Sequence, residues 1–270
     1  KQNDIFFFAI LSLLPIFMLW GILLLLGFFA PIEEVAYFKV SLAWINSIGV
    51  LIPVSMTVVF TSVIGMESRK EIDKLRRYLS KVYRYSFILI FPFMFGLFSL
   101  SDVFIKFIYG QGFLPVATSI QILVAALLFQ FVGNTLYAFY TALDRVRKLA
   151  GIYSVSTLIG IAVSLPLLYY FKYIGASISF VLISVLNLSF LYLNARKDLK
   201  VSFVRPAIKP LIASIAMALF IFLVKGFIVS LMTLLVVIIL AFVLYLTVML
   251  VIKGVSREDL KLVSYLRRGK

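Results

Sequence analysis

The 270-residue chain contains no cysteine and no histidine. Without cysteine there is no disulfide scaffold and no thiolate nucleophile, and without histidine there is no Ser–His triad. The two absences together remove zinc sites of the Cys/His type. Charge is also scarce. Only 14% of the residues are Asp, Glu, Lys or Arg, against about 25% in ordinary soluble domains. Acid is scarcer than base, with 11 carboxylates against 26 Lys and Arg and a net charge of +15. The carboxylates from Asp4 to Asp259 are scattered. None falls in the middle of a long apolar run, and none forms a metal-spaced cluster, so neither a catalytic site nor a metal site is expected. There is no P-loop, Gly-rich dinucleotide turn or nucleic-acid motif, so no cofactor and no nucleic-acid partner are expected either.

What fills the chain is apolar. Hydrophobic residues make up 63% of it, and the mean hydropathy is +1.13. That composition excludes a soluble globular enzyme and supplies far more apolar surface than a disordered chain has. An all-α integral membrane protein remains, with room for about eight spans at roughly 20 residues each. The long runs do not alternate apolar and polar, so they read as helices and not as barrel strands. They fall at Ile5–Phe29 (helix A), Val35–Met66 (B), Tyr85–Ser101 (C), Pro115–Leu143 (D), Leu149–Phe171 (E), Tyr173–Ala195 (F), Pro206–Val224 (G) and Gly226–Ile252 (H). Glu67–Arg84 reads as an interfacial amphipathic helix, with Ile72, Leu75, Leu79 and Val82 on one face. The tail repeats the pattern with Leu260, Val263 and Leu266 after capping-box spacing at Ser256 and Asp259. Between C and D, Val103, Phe104, Phe107 and Ile108 suggest a short separate helix, ended by Gly110 and Gly112 before Pro115 opens helix D. The run from Ile5 is too long for a signal peptide. The start at Lys1 without an initiator Met raises the expectation of a piece of a longer chain.

Positive charge sets the orientation. Nearly all Lys and Arg residues fall at the two termini and in the B–C, D–E and F–G connections; only Lys106, Lys172 and Lys225 fall at the other ends, with Lys39 inside helix B. The positive-inside rule then puts both termini in the cytoplasm. It also accounts for the net charge without invoking nucleic acid.

Polar side chains at membrane depth are costly and so mark function. Lys39 is the only ionisable group well inside a predicted helix of the first six. It either snorkels to headgroups or pairs with Glu33 or Glu34, or it is a cation facing an aqueous cavity. At 100° per residue it shares a sector of helix B with Asn46, Pro53, Thr57 and Thr61. Helix D carries a second stripe, Gln130, Asn134, Tyr137 and Thr141. Two amides one turn apart need several hydrogen-bond partners. Helix E carries Tyr153, Thr157, Gly160 and Ser164, and helix F carries Ser177, Ser184, Asn187 and Asn194. These small and hydroxyl-bearing stripes read as helix-packing faces. The expectation is that helices A, B and D line one cavity with Lys39, Asn46, Gln130 and Asn134 turned inward. Pro15, Pro53, Pro92 and Pro166 lie inside spans and can bend them.

The stretch Phe107-Ile-Tyr-Gly-Gln-Gly-Phe-Leu-Pro-Val-Ala117 with Ile120-Gln-Ile-Leu123, the basic exit Tyr140-Thr-Ala-Leu-Asp-Arg-Val-Arg-Lys148, the Gly175-Ala176 start of helix F and Tyr37 resemble, in order and spacing, the oligosaccharide-lipid flippases of the multidrug/oligosaccharidyl-lipid/polysaccharide exporter superfamily. The resemblance implies a second six-helix lobe over residues 1–200, with two additional helices and a basic tail over 201–270. It implies a plasma-membrane transporter, not an enzyme, that moves a polyprenyl-diphosphate-linked oligosaccharide outward by alternating access. Its partners would be that substrate, membrane lipids and the missing N-terminal lobe of the same chain. Lys39, Asn46, Gln130, Asn134 and Tyr137 are the substrate-binding candidates. A cation-coupled drug exporter of the same superfamily is the alternative, and a membrane-embedded glycan polymerase or ligase a further one.

Overall fold

A computed structural model describes residues 2–49, 72–198 and 203–254. Helix α1 is Gln2–Phe29, α2 is Ile32–Gly49, α3 is Ile72–Tyr109, α4 is Leu114–Ala142, α5 is Val146–Asp198, α6 is Val204–Val224 and α7 is Leu231–Val251. Single 3-10 turns at Gln111–Phe113 and Lys225–Phe227 precede α4 and α7. Among the described residues, six helices are long and apolar enough to cross a membrane.

One of these, α5, is too long to be a single span. Its apolar stretch covers 50 residues, about 75 Å at 1.5 Å per residue, more than twice a bilayer's hydrocarbon core. The backbone breaks at Lys172, where φ is 47° and ψ is −122°. The two halves, residues 146–171 and 173–198, fold back on each other at this point. Gly175 makes the reversal possible, because a Cβ there would run into the Leu167 carbonyl. Gly160 does the same deeper in the pair, where a Cβ would overlap Ile183. Small residues let helix backbones approach in a membrane, where packing and not hydrophobicity drives association.

The opposite difference appears in α3. The amphipathic segment, helix C and the short helix after it were expected as separate pieces, but from Ile72 to Tyr109 they form one helix of 38 residues. The sequence changes from amphipathic to apolar along the way without any residue that ends a helix. Pro92 removes one backbone bond but does not terminate it. Gly110, at φ 84°, does, and Pro115 sits in the first turn of α4. Helix α7 begins later than expected. Ser230 accepts from the Thr233 N–H at 3.2 Å, and Thr233 Oγ1 accepts from the Ser230 N–H at 3.0 Å, a capping box that fixes the start. The rest of helix B, including Pro53, Thr57 and Thr61, the start of the amphipathic segment and the tail from Val255 lie outside the described residues.

The buried apolar side chains form two clusters. The larger joins α1 to α5, with Ile22, Phe38, Phe87, Phe131 and Ile183 among its fully buried members. The smaller joins α6 and α7 to one face of α3 through Leu100, Met217, Ile221 and Tyr245. Helix α3 therefore belongs to both, and the Tyr245 hydroxyl donates to the Ile88 carbonyl at 2.7 Å across that second contact.

Candidate functional site

The larger cluster borders an open cavity of about 280 Å³. Its apolar wall comes from Leu14, Pro15, Met18 and Leu19 of α1 and from Phe129, Phe180 and Leu188. Its polar wall comes from Asn46 of α2, Gln130 and Asn134 of α4, Tyr153 and Thr157 of the first half of α5, and Ser184 and Asn187 of the second. Every polar group in this lining is neutral. Three of the five candidates, Asn46, Gln130 and Asn134, thus meet in one cavity, and α1, α2 and α4 all contribute to it.

Two candidates do not line it. Lys39 is exposed. It lies seven residues before Asn46 on the same face of α2, about 10 Å along the axis. Of its two expected partners, Glu33 and Glu34, the second is taken by others: Lys172 Nζ approaches Glu34 Oε1 at 3.4 Å, and the Tyr173 N–H donates to Glu34 Oε2 at 3.4 Å. Tyr137 is half-buried and stands behind the wall, its ring edge-on to Tyr153 at 5.7 Å. It acts on the cavity only through that ring.

The halves of α5 contribute more than was expected of them. Thr157, Ser184 and Asn187 were read as packing residues, yet they line the cavity. Ser156 Oγ also hydrogen-bonds Asn187 Oδ1, which ties that amide to the first half of α5. Stripe spacing told that these residues share a face. It did not tell whether the face meets a helix or a space.

Asn46, Gln130 and Asn134 have no hydrogen-bond partner among the described residues for their side-chain amides. Each amide carries two donors and a carbonyl with two lone pairs. Polar groups inside proteins are almost always satisfied, and more so away from water. Asn46 is exposed and Gln130 and Asn134 are partly so, so all three amides are open to whatever fills the space between these helices. Gly133, between Gln130 and Asn134, would place a Cβ into open space.

The cavity lies below a clasp at the Lys172 end. Tyr37 packs edge-on against Phe113 at 5.8 Å and against Tyr173 at 5.7 Å, and its hydroxyl donates to the Gly112 carbonyl at 3.4 Å. With the Glu34–Lys172 pair, these contacts join α2, the turn before α4 and the reversal of α5. A second groove of about 350 Å³, lined by Trp44, Pro92, Phe104, Met217, Ile238 and Phe242 among others, runs between α2, α3, α6 and α7. Apart from Ser47 its side chains are apolar, and it suits hydrocarbon.

Helices long and apolar enough to cross a membrane thus surround one neutral polar cavity. Residues 9–118 match the family model described as polysaccharide biosynthesis protein. Among solved structures, the chain is similar to lipid II flippase MurJ in its inward closed conformation, with a TM-score of 0.71 and 17% identity over 83% of this chain and 48% of that one. No curated protein sequence matches the chain. The fold is thus that of a MurJ-like flippase, and the chain spans about half the length of the flippase it matches. Both findings support the resemblance to flippases of polysaccharide and lipid-linked oligosaccharide assembly.

Proposed function

We propose that this chain is the substrate-handling lobe of a transporter that carries a polyprenyl-diphosphate-linked oligosaccharide from the cytoplasmic to the outer leaflet of the plasma membrane. The observation that carries this reading is the neutral, amide-lined cavity with three unpartnered amides. A glycan offers hydroxyls that donate and accept, and amides do both. Asn46, Gln130, Asn134, Asn187 and Thr157 meet the sugar hydroxyls, while Tyr153, held by Tyr137, offers an aromatic face to a sugar ring. Lys39, two turns away on the same face of α2, takes the diphosphate. That separation matches a substrate whose anionic and sugar parts are distinct. The chemistry asked of the protein is binding and release, with no bond made or broken.

Alternating access needs a second body. The remainder of the protein supplies it as a facing lobe, and the clasp of Tyr37, Phe113, Glu34 and Lys172 keeps the outer end of this lobe together as it rocks. Both termini of the segment lie at the cytoplasmic face in this reading. The test is complementation. The full-length protein, expressed in a host deleted for its own oligosaccharide-lipid flippase, restores surface glycan, and Lys39→Ala at equal expression abolishes the rescue. Gain of drug or cation efflux without glycan at the surface would move the protein to the exporter branch.

A further inference from the structure

Away from the cavity, four cations converge where α3, α6 and α7 meet at the opposite end of the bundle from Lys225. Arg84 comes from α3, Arg205 and Lys209 come from the first two turns of α6, and Lys253 follows α7. With Pro206, Pro210 and Gly254 they line a pocket of about 380 Å³. Arg84 is half-buried and the other three are exposed.

Two of the four are held by the end of α7. Arg84 Nη2 donates to the Gly254 carbonyl at 2.9 Å, and Lys209 Nζ donates to the Lys253 carbonyl at 2.8 Å. The helix end is itself closed, with Lys253 at φ 51° and the Gly254 N–H returning to the Met249 carbonyl at 2.7 Å. Such terminal carbonyls carry partial negative charge and favour cations. They offset only part of four full charges. Arg205 and Lys253 pair with no carboxylate among the described residues. The start of α6 adds to the excess. Phe203 at its N-cap provides no side-chain acceptor, so the first N–H groups of a 21-residue helix face the same region. Positive charge is thus concentrated by two independent devices, side chains and a helix N-terminus.

The position names the anion. Val204 and Val251 end two apolar spans, so the pocket sits where hydrocarbon gives way to water, at the level of lipid phosphates. We propose that this pocket binds the phosphate of an anionic membrane lipid, which fastens the α6–α7 pair to α3. This inference needs the membrane-spanning fold but not the flippase reading.

The full-length protein in neutral detergent is titrated with short-chain phosphatidylglycerol, short-chain phosphatidylcholine or inorganic phosphate, and thermal unfolding is followed. Phosphatidylglycerol raises the unfolding temperature saturably, at lower concentration than either comparator. Removing the two exposed cations in Arg205→Gln/Lys253→Gln weakens this response about 25-fold, about fivefold per cation near a membrane surface, while unfolding without lipid is unchanged. Arg145→Gln/Lys148→Gln, an equal loss of charge where α4 passes into the first turn of α5, keeps the wild-type response. Equal weakening in both double variants overturns the site, as does inorganic phosphate matching the lipid. A lipid response that appears only in Glu258→Gln/Asp259→Gln also overturns it, because the tail's own carboxylates then occupy the pocket.

Discussion

At the scale of single residues, the cavity sets a simple contrast between filling space and removing hydrogen bonds. Gly133 lies between Gln130 and Asn134, where an added Cβ meets nothing, so Gly133→Leu projects into the cavity and also favours the helix. It fills the cavity. Thermal unfolding is expected to stay at or above the wild-type temperature while glycan transport falls to background. Transport retained in this variant would mean that substrate does not enter here. Gln130→Leu and Asn134→Leu remove polar contacts instead. With about 0.5–1.5 kcal/mol per hydrogen bond, each is expected to lower transport about two- to tenfold with stability unchanged or raised. These positions on the cavity wall were partly legible. Two amides at 130 and 134, one turn apart in an apolar run, have no explanation as lipid-facing groups. Thr157 and Ser184 were not legible, because a hydroxyl that can satisfy itself on its own helix serves packing and cavity equally well. Ser184 does so, donating to the Phe180 carbonyl at 2.9 Å.

At the scale of elements, the reversal of α5 is the most sharply specified feature. Sequence alone placed a boundary at Lys172, because a charge between two apolar runs of span length leaves little choice. The closeness of the two halves was not visible, since it depends on which faces meet. Gly175→Ala pushes a methyl group into the Leu167 carbonyl. A backbone oxygen cannot move aside as a side chain can, and overpacking of this kind costs about 1–3 kcal/mol or more. A lower unfolding temperature in detergent is expected, together with loss of the cavity residues' common wall. Gly160→Val meets the Ile183 side chain instead, which can shift in part, so a smaller loss is expected. By contrast, Tyr245→Phe removes one hydrogen bond to Ile88 between α7 and α3. Interhelical hydrogen bonds in membranes average about 0.6 kcal/mol, so this variant is expected to unfold only slightly earlier and to transport normally. An effect as large as that of Gly175→Ala would show that the α6–α7 pair holds the lobe together, which its separate cluster of buried side chains argues against. The length of α3 shows the reverse kind of failure. Amphipathic and apolar stretches looked like different elements, but hydropathy does not break a helix; glycine at positive φ does.

At the scale of the whole molecule, the absence of cysteine becomes an experimental advantage. Single cysteines can be placed in this chain without a background. Lys148 lies in the first turn of α5, and Lys106 lies near the far end of α3. In the proposed orientation, read from the distribution of basic residues, they lie on opposite sides of the membrane. Lys148→Cys is therefore expected to react with a membrane-impermeant maleimide only after the cytoplasmic face is opened, and Lys106→Cys from outside in intact cells. Reaction of both from one side would sink the topology, and the direction of transport with it. Asn134→Cys extends the same logic to the cavity. A thiol facing lipid does not react with a charged maleimide, because the reagent needs water and the thiolate. A thiol in a polar cavity that opens alternately reacts from whichever side is open. The clasp formed by Tyr37, Phe113, Tyr173 and the Glu34–Lys172 pair ties the Lys172 end together, so in the proposed orientation reaction of Asn134→Cys is expected from the cytoplasmic side in the resting protein. Weakening the clasp with Tyr37→Ala removes two ring contacts and one hydrogen bond, and is expected to raise labelling from outside. If Asn134→Cys labels from neither side under any condition, the three amides do not face water, and the cavity is not a transport path.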